Sequence, residues 1–450
     1  MKNIVLIGLM GSGKSDLGKK LADQTGMAFI DLDAFIEQRA GMSVSEIFEA
    51  GGEADFRDRE TEAAKLVSQR TDTVVAAGGG TVLRPENVAV LSKTGFLIFI
   101  DRPVEQIIQD VDRGNRPLLK DGADRLREIS RRRRDIYESI CDLRLDNSAG
   151  LADAEAALLD MAETLRAPRF HVIGDPIEHS KSPNIHLPIL QAYTDSPSYE
   201  RVLVKRGGLP RYLEQAAATG LRGFNLTMPH KQDILPYLDA VSDEARMAGS
   251  VNTVVIRRGK RFGYTTDGAG FFAALDGAGI DYAGKHLLIL GAGGASRAIA
   301  LAGALRGASK IGVLARRLDA AETLVQELGN AAQASFYAGL LQPETLDAGL
   351  PDVDILVNAT PQGMTGVNAA WETLAFLERL PKHAAVCDLI YDPSETAFLK
   401  RAKELGFQTM GGLPMLIYQA IVADTLYLGR DINGPEMYRR VLDALNSERC

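Results

Sequence analysis

The segment GLMGSGKS, residues 8–15, contains the residues best suited to hold a phosphate chain. It follows a short apolar run and precedes an amphipathic stretch, which is the strand–turn–helix context that a P-loop requires. Glycine permits the positive φ angles that let backbone N–H groups wrap around phosphates, and a helix N-terminus adds a positive dipole. Lys14 is expected to reach the β- and γ-phosphates of a nucleotide, and Ser15 can ligate Mg²⁺. We therefore predict a nucleotide–Mg²⁺ site whose binding residues are Gly11, Ser12, Gly13, Lys14 and Ser15.

Two acidic residues, Asp31 and Asp33, stand at the end of the second apolar segment. Alternate residues of an extended chain share a face, so both carboxylates can point toward the phosphate site. One of them can then support Mg²⁺ while the other holds a hydroxyl nucleophile. The alternative is a pair of aspartates that only shape the turn at a strand end.

Candidate groups for holding an anionic substrate follow in the same half of the chain. Arg57 is flanked by acids, a pattern that is also typical of a surface ion pair on a helix. The glycines 78–80 end an apolar run and allow close backbone approach to a ligand. Residues 113–119, RGNRPLL, indicate a mobile loop with two cations, and Arg133 precedes Tyr137 by one helical turn.

The second half of the chain has its own set of polar residues at predicted strand ends. Lys231 lies just beyond the strand that begins near residue 223, and Asp267 precedes a glycine and a helical run. A carboxylate beside a lysine orients the ammonium group, and the pair can relay a proton to a developing alkoxide. Each residue also has a plainer interpretation, as a surface lysine and a helix cap, and serines 180 and 182 are also typical of N-caps.

A second glycine-rich turn, GAGGASRA at residues 291–298, follows the predicted strand His286–Leu290 and opens a helix. This is a slightly altered dinucleotide fingerprint in its required context. The next predicted strand, Lys310–Leu314, leads to Arg316 and Arg317, where an NAD site would place an acidic residue for the ribose 2′-hydroxyl. Two arginines favour a 2′-phosphate and hence NADP, the alternative being a basic surface turn.

The candidate residues above can act together only if the fold brings the ends of their strands to one edge of a sheet. In the first half, helical segments separate five apolar strands, which predicts a parallel five-stranded sheet covered on both faces: Asn3–Ile7, Ala28–Leu32, Thr73–Ala77, Gly95–Ile100 and Asp142–Asp146. We predict an α/β chain with a P-loop domain at 1–167, an α/β substrate lobe at 168–275 completed by helices in 415–450, and a Rossmann lobe at 276–414.

The motifs of the first half resemble shikimate kinases, in order and approximate spacing, across essentially all of residues 2–165. The resemblance implies phosphorylation of the shikimate 3-hydroxyl by ATP, with Mg²⁺ held by Ser15 and Asp31. It implies that Asp33 binds and activates the hydroxyl and that Lys14 acts in catalysis. It also implies that Arg57 and Arg133 clamp the substrate carboxylate and that Gly79 approaches the ring. Arg113 and Arg116 would be the cations of the lid, with Arg116 facing the transferring phosphoryl group.

The second half resembles shikimate dehydrogenases over about residues 169–445, through motifs such as HSKSP at 179–183, NLTMPHK at 225–231 and SVNT at 250–253. The resemblance implies NADPH-dependent reduction of 3-dehydroshikimate to shikimate, with Lys231 and Asp267 as the catalytic pair. The other implied substrate-binding residues are Ser180, Ser182, Thr227, Asn252, Tyr391 and Gln419. The implied NADP-binding residues are Gly291, Ala292, Gly293, Gly294, Ala295, Arg316 and Arg317, with Thr360, Leu389 and Gly412 on the nicotinamide side.

Composition, charge and cysteine content exclude several classes of protein. The 450 residues are 46% hydrophobic and carry a net charge of −8, so we expect no affinity for nucleic acid or for anionic membranes. Three scattered cysteines suit a reducing compartment, and the first strand leaves no room for a signal peptide, so we expect a cytoplasmic enzyme. The alternatives are a dehydrogenase that prefers quinate and a non-catalytic metabolite sensor. Only the sensor is opposed by the presence of Lys14, Asp33, Lys231 and Asp267, since a sensor would be expected to lack such residues.

Overall fold

The computed structural model describes residues 1–113, 122–217, 219–329, 334–367 and 370–447. The chain forms two compact units. The first comprises Met1–Pro168 with Tyr193–Ser196, and the second comprises Arg169–Ala192 with Pro197–Cys450. Within the described residues, no helix combines the length and the apolar character that crossing a membrane requires.

The first unit is built on a parallel five-stranded sheet, as predicted, with strands in the order β2-β3-β1-β4-β5. Its strands are β1 Asn3–Ile7, β2 Ala28–Asp31, β3 Thr73–Ala76, β4 Gly95–Asp101 and β5 Leu143–Asp146. Its helices are α1 Lys14–Thr25, α2 Leu32–Ala40, α3 Val44–Ser68, α4 Pro85–Thr94, α5 Val104–Arg113, α6 Gly122–Ile140 and α7 Leu151–Arg166, with a 3₁₀ turn at Thr81–Leu83. Alternate residues of β1 enter two different apolar clusters, one on each face, so helices must cover both faces.

The second unit begins with a mixed six-stranded sheet in the order β7-β6-β8-β10-β11-β9. Its strands are β6 Arg169–Gly174, β7 Ser198–Leu203, β8 Leu221–Leu226, β9 Ala240–Val241, β10 Thr253–Arg257 and β11 Lys260–Tyr264. The helices that follow or connect them are α8 Ser182–Tyr193, α9 Leu209–Ala217, α10 His230–Asp233 and α11 Asp243–Ala248, with a 3₁₀ turn at Leu235–Tyr237.

A second six-stranded sheet of this unit is wholly parallel and has the order β14-β13-β12-β15-β16-β17, the doubly wound arrangement of a Rossmann fold. Its strands are β12 His286–Leu290, β13 Lys310–Ala315, β14 Ser335–Leu340, β15 Ile355–Asn358, β16 Ala385–Asp388 and β17 Gln408–Met410. Its helices are α12 Asp267–Ala278, α13 Gly294–Leu305, α14 Leu318–Gly329, α15 Pro343–Gly349, α16 Ala397–Glu404, α17 Gly412–Leu428 and α18 Gly434–Ser447, with 3₁₀ turns at Leu350–Asp352 and Ala375–Arg379.

Close helix packing joins the two sheets of the second unit. A Cβ atom on Gly270 of α12 would lie 2.5 Å from the backbone nitrogen of Gln419 on α17. The same helix α17 reaches the first sheet, where a Cβ on Gly223 of β8 would lie 2.3 Å from the ring of Tyr427. Glycine at these two positions therefore lets α17 pack closely against both α12 and β8.

Candidate active sites

The predicted phosphate loop connects β1 to α1 and has the backbone that the glycines were expected to provide. Gly8, Gly11 and Gly13 have φ angles of 141°, 77° and 96°, in the region that disfavours other residues. A Cβ on Gly8 would also lie 2.7 Å from the Ile100 carbonyl oxygen. The loop thus presents its backbone amides and the start of a 12-residue helix, which together suit an anionic phosphate chain.

Lys14 is buried inside this loop. Its Nζ atom lies 3.0 Å from the Gly8 carbonyl oxygen and 2.8 Å from that of Leu9. Burial lowers the pKa of the Lys14 ammonium to about 8, against the opposing effect of Asp33 and Asp31. A buried cation that donates to two neutral carbonyl groups of its own loop fits the β- and γ-phosphates of a nucleotide.

Asp31 and Asp33 are both at the phosphate site, but only Asp31 has the extended backbone that was expected for the pair. Asp31 ends β2 and caps α2, because its carboxylate accepts the backbone N–H groups of Asp33 and Ala34 at 3.1 and 3.2 Å. Asp33 therefore lies in the first turn of a helix. The Ser15 hydroxyl donates to Asp31 at 2.5 Å, so these two oxygens converge as the predicted Mg²⁺ ligands would.

Asp33 lies against the triple glycine. A Cβ on Gly78 would lie 2.7 Å from Asp33 Oδ1 and 3.1 Å from a Glu60 oxygen. Burial raises the pKa of Asp33 to about 6, with further contributions from the neighbouring carboxylates of Asp31 and Glu60, against the lowering effect of Lys14 and Arg57. A carboxylate with a pKa close to neutrality can accept a proton from a hydroxyl group.

The surface ion pair considered for Arg57 is present in part: the guanidinium lies 3.3 Å from Oε1 of the exposed Glu53, although Arg57 itself is largely buried. Its side chain is 14% exposed and donates to Glu60 at 2.7 Å, while Glu60 is fully buried and also accepts from the Thr81 hydroxyl at 2.6 Å. A Cβ on Gly80 would lie 2.3 Å from the guanidinium, so glycine provides the room that Arg57 occupies. Sequence reasoning missed the role of Glu60, although its position one turn after the buried Phe56 signals an inward-facing acid.

Arg133 and Tyr137 of α6 meet at the middle glycine of the triplet. Arg133 donates to the Gly79 carbonyl oxygen at 2.8 Å, and the Tyr137 hydroxyl donates to the same oxygen at 2.6 Å. The structure therefore brings Arg133 and Arg57 to the same triple glycine that Asp33 contacts, and two guanidinium groups so placed suit a small carboxylate. The Arg113 side chain and all of Arg116 lie outside the described residues.

The second unit contains a cavity of about 480 Å³ between its two sheets. Its walls include every substrate residue predicted for this unit and several of the predicted cofactor residues: Ser180, Ser182, Thr227, Lys231, Asn252, Asp267, Ala295, Leu389, Tyr391, Gly412 and Gln419. The Ser180 hydroxyl donates to that of Ser182 at 3.2 Å, and burial raises the pKa of the Tyr391 hydroxyl. A cavity of this size is suited to a small polar ring.

Lys231 and Asp267 form a direct pair in this cavity. The Lys231 ammonium lies 2.7 Å from Asp267 Oδ2, while Asn252 Nδ2 donates to the other oxygen, Oδ1, at 2.7 Å. Lys231 belongs to the short helix α10 and Asp267 is the first residue of α12, so neither is the isolated surface lysine or helix cap that each could have been. The amide of Asn252 fixes the carboxylate, and the carboxylate fixes the ammonium.

Two polar residues that sequence reasoning left without a role support this pair. Thr266 donates its N–H to Asn252 Oδ1 at 2.9 Å and its hydroxyl to Gln419 Oε1 at 3.3 Å. Asn225 donates to the Asn252 carbonyl oxygen at 3.2 Å and accepts from the hydroxyl groups of Tyr199 and Tyr427, at 2.5 and 2.9 Å. No local pattern could have shown the last contact, since its partners are 202 residues apart.

The glycine turn after β12 fits a dinucleotide for two separate reasons. Gly291 has φ 110°, and a Cβ there would lie 3.0 Å from the Ala359 carbonyl oxygen, so the turn itself requires glycine. A Cβ on Gly293 or Gly294 would meet no protein atom within 4 Å, so packing does not explain these glycines. They suit close approach of a pyrophosphate to the N-terminus of α13, because the helix begins at Gly294.

Arg316 and Arg317 follow β13 at the carboxyl edge of the Rossmann sheet and are both exposed. Arg317 Nε lies 3.9 Å from an Asp319 oxygen, with both side chains 77% exposed. Arg316 lines a further cavity of about 690 Å³ together with residues that follow β14 and β15. Neither arginine lines the cavity that holds Lys231. This separation is expected, because a dinucleotide extends along the sheet edge and its two ends contact different residues.

Comparison with known proteins agrees with this geometry. Residues 10–162 match the family model described as shikimate kinase, and residues 172–254 match that described as shikimate dehydrogenase substrate binding domain. A curated relative from Alkaliphilus oremlandii, a shikimate dehydrogenase (NADP(+)), is 38% identical over 258 residues, which are 57% of this chain and 90% of the relative. The chain belongs to the shikimate dehydrogenase family. In the same chain, a shikimate kinase domain precedes the dehydrogenase.

Solved structures of shikimate dehydrogenases and their relatives align with most of the second unit. The shikimate 5-dehydrogenase of Thermus thermophilus, in complex with NADP(H) and shikimate, is 35% identical with a TM-score of 0.54, covering 62% of this chain and 99% of that chain. The quinate dehydrogenase of Corynebacterium glutamicum, in complex with NAD, is 29% identical with a TM-score of 0.56 and the same two coverages.

Proposed function

We propose that this chain is a bifunctional enzyme that reduces 3-dehydroshikimate to shikimate with NADPH and phosphorylates the 3-hydroxyl of shikimate with ATP and Mg²⁺. The observation that carries the proposal is the 2.7 Å Lys231–Asp267 pair, placed in a cavity of about 480 Å³ beside a Rossmann sheet. A second, independent site in the first unit combines a phosphate loop with Asp33 and an arginine clamp. The two family matches support both assignments.

In the dehydrogenase site, the chain's own residues control one proton. NADP(H), when bound, supplies or accepts the hydride. The Lys231 ammonium is the group that donates a proton to the carbonyl oxygen of the substrate, or stabilises the oxygen as negative charge develops on it. Asp267 holds this ammonium in place and balances its charge, and Asn252 fixes the carboxylate. Ser180 and Ser182, which also line this cavity, can bind the substrate carboxylate through their hydroxyl groups.

In the kinase site, the residues position one hydroxyl group and neutralise charge. ATP with Mg²⁺ supplies the phosphoryl group, and Ser15 and Asp31 would hold the metal ion. Asp33 accepts the proton of the substrate hydroxyl, since its raised pKa makes it a better base than an ordinary aspartate. Arg57 and Arg133 bind the substrate carboxylate, while Lys14 and the loop amides hold the phosphates.

The test is steady-state kinetics of the purified chain with shikimate and NADP⁺, beside a separate assay with shikimate and ATP–Mg²⁺. We expect the Lys231→Ala variant to lower the dehydrogenase kcat by about 10²–10⁴-fold with a smaller rise in KM, since Lys231 acts mainly in the transition state. The matched control is Lys205→Ala, an exposed lysine of the same unit that does not line the cavity.

Three outcomes of that experiment separate the possible roles of Lys231. An unchanged kcat with intact kinase activity would remove Lys231 from the catalytic residues and leave Asp267. A raised KM with nearly intact kcat would make Lys231 a substrate anchor only. If the wild-type chain binds shikimate but turns over in neither assay, the enzyme proposal fails and a metabolite sensor takes its place.

Quinate is the competing substrate, and the likeness to a quinate dehydrogenase gives it a specific basis. The same assay with quinate in place of shikimate decides between them. We expect kcat/KM for shikimate to exceed that for quinate, because the chain also carries a domain whose family phosphorylates shikimate. A higher value for quinate would assign the second unit to that substrate.

A further inference from the structure

A buried carboxylate at the end of β16 takes no part in either site as described so far. Asp388 has no exposed surface and does not line the cavity that holds Lys231. Three donors converge on it: Asn358 Nδ2 at 3.0 Å and the Ile390 N–H at 3.1 Å reach Oδ1, and the Thr396 hydroxyl reaches Oδ2 at 2.6 Å. One donor ends β15 and the other two lie in the segment after β16, so Asp388 connects the loops that follow these two strands.

The first loop follows β15 and passes the glycine turn. The Asn358 amide that donates to Asp388 also accepts, through its own Oδ1, the Thr360 N–H at 3.0 Å and the Thr360 hydroxyl at 2.6 Å. The Thr360 methyl group lies 3.3 Å from where a Cβ of Gly291 would be, and Met364 further along lines the cavity. Asp388 thus fixes, through one amide group, the loop at 359–364.

The second loop follows β16 and forms another part of the cavity wall. Leu389 and Tyr391, on either side of the Ile390 N–H that Asp388 accepts, both line the cavity. The Ile390 carbonyl oxygen accepts the Gly412 N–H at 3.1 Å, so the start of α17 is attached to the same loop. The Thr396 hydroxyl that donates to Asp388 also accepts the Leu399 N–H, which caps α16 and fixes the far end of the loop at 389–396.

We propose that Asp388 is a positioning residue of the dehydrogenase, whose ionised carboxylate holds the loops at 359–364 and 389–396 against each other on the nicotinamide side of the cavity. The inference rests on the proposed dehydrogenase function, because it places the nicotinamide there. A carboxylate suits the site because both oxygens accept; an amide nitrogen in place of Oδ2 could meet Thr396 only by making its hydroxyl the acceptor, which replaces a charge-assisted hydrogen bond with a neutral one. Burial raises the pKa of Asp388 to about 6, with all three hydrogen bonds opposing, so the group is ionised at the neutral pH of an assay.

The test compares Asp388→Asn with Asp392→Asn. The two aspartates are four positions apart in the same segment, but Asp392 is exposed and its carboxylate accepts only a 3.4 Å bond from Thr365 among the described contacts. Hydrogen exchange of the cofactor-free chain gives a readout that does not depend on activity. We expect the Thr360 and Ile390 amides to exchange at least about tenfold faster in Asp388→Asn and at the wild-type rate in Asp392→Asn.

Kinetics and binding complete the comparison. We expect Asp388→Asn to bind NADPH more weakly and to lower kcat/KM for shikimate by about 10- to 100-fold, as a displacement of about 1 Å at a reacting centre does. Wild-type exchange rates together with wild-type kinetics in Asp388→Asn would overturn the inference. Faster exchange with unchanged kinetics would also overturn it, because Asp388 would then be a purely structural residue.

A second pair of variants keeps the inference testable if Asp388→Asn does not fold. Thr396→Val removes one hydroxyl donor to the carboxylate, whereas Thr396→Ser keeps it. We expect faster exchange at Ile390 and lower kcat/KM in the valine variant, with recovery in the serine variant; equal behaviour of the two would contradict the role of the carboxylate. A wild-type chain that lacks shikimate-dependent NADP⁺ reduction would instead refute the proposed function, while the exchange data would still report on the loops.

Discussion

At the residue scale, the kinase site contains an ionisable group, Asp33, whose surroundings shift its pKa. Asp33 is surrounded by the acids Asp31 and Glu60 and by the cations Lys14 and Arg57, and burial has the largest effect on its pKa. The raised value means that folding favours the protonated form of Asp33. Ionised Asp33, the form that can accept a proton, is therefore present above about pH 6 and is lost as the pH falls through that value.

We expect the kinase kcat/KM for shikimate to fall about tenfold per pH unit below about pH 6, since kcat/KM reports the ionisation of the enzyme form that binds shikimate. The measurement is a pH profile from about pH 5 to about pH 8 at saturating ATP–Mg²⁺. Asp33→Asn should lack kinase activity at every pH, whereas Asp23→Asn, an exposed residue of α1, should reproduce the wild-type profile. A profile that stays flat through pH 6 would exclude Asp33 as the base.

The preference for NADP over NAD is expected to depend on Arg316 and Arg317. A hydrogen bond to a charged group contributes about 1.5–3 kcal/mol, so each lost contact to a 2′-phosphate weakens binding roughly tenfold or more. Replacing both arginines with alanine should raise the Kd for NADPH strongly and that for NADH little, as measured by nucleotide fluorescence. The control is Lys400→Ala on α16, which is also an exposed cation. An equal loss for both nucleotides would show that the arginines do not bind the 2′-phosphate.

At the scale of elements, glycines decide how closely the helices of the second unit approach the strands. A Cβ on Gly412 would lie 2.2 Å from the Leu389 carbonyl oxygen, which is a backbone atom and cannot move aside alone. The adjacent Gly411 is different, because a Cβ there would lie 3.6 Å from a leucine methyl group, which is an ordinary contact. Only Gly412 is therefore needed to place α17 against the loop after β16.

We expect Gly412→Ala to displace the start of α17, to destabilise the second unit by about 1–3 kcal/mol and to reduce dehydrogenase activity. Gly411→Ala is the matched control and should leave both properties near wild type. Thermal unfolding and steady-state kinetics with shikimate measure the two effects, and the kinase activity of the same samples reports on the first unit. If both variants behave alike, the close approach at Gly412 is not what positions the helix.

Hydrophobic patterns and glycine turns predicted most elements because they depend on short stretches of chain. The parallel five-stranded sheet and the Rossmann sheet both agree with the structure, with strand ends shifted by about one residue. The conformation at Asp33 was not predictable from alternation, because it depends on the Asp31 side chain capping α2. The burial of Glu60 and the contact between Tyr427 and Asn225 depend on tertiary packing that no local pattern contains.

At the scale of the whole molecule, each site is built from residues of a single unit. The kinase residues named above fall within Met1–Pro168, and the dehydrogenase residues fall within the second unit. The order of the domains is the reverse of the proposed order of reactions, since the second unit would form the hydroxyl group that the first phosphorylates. The chemistry of one site therefore does not need any side chain of the other.

We accordingly expect a point mutation in one site to remove one activity and spare the other. Lys14→Met removes the buried cation of the phosphate loop while keeping an unbranched side chain of similar length, so the kinase activity should be lost. NADP⁺ reduction with shikimate should stay within about twofold of wild type, because the dehydrogenase site uses no side chain of the first unit. Lys19→Met, an exposed lysine of α1, should keep both activities and shows whether the loss is specific. Residue 14 belongs to the first unit. Loss of both activities in a folded Lys14→Met protein would therefore mean that the two sites are coupled.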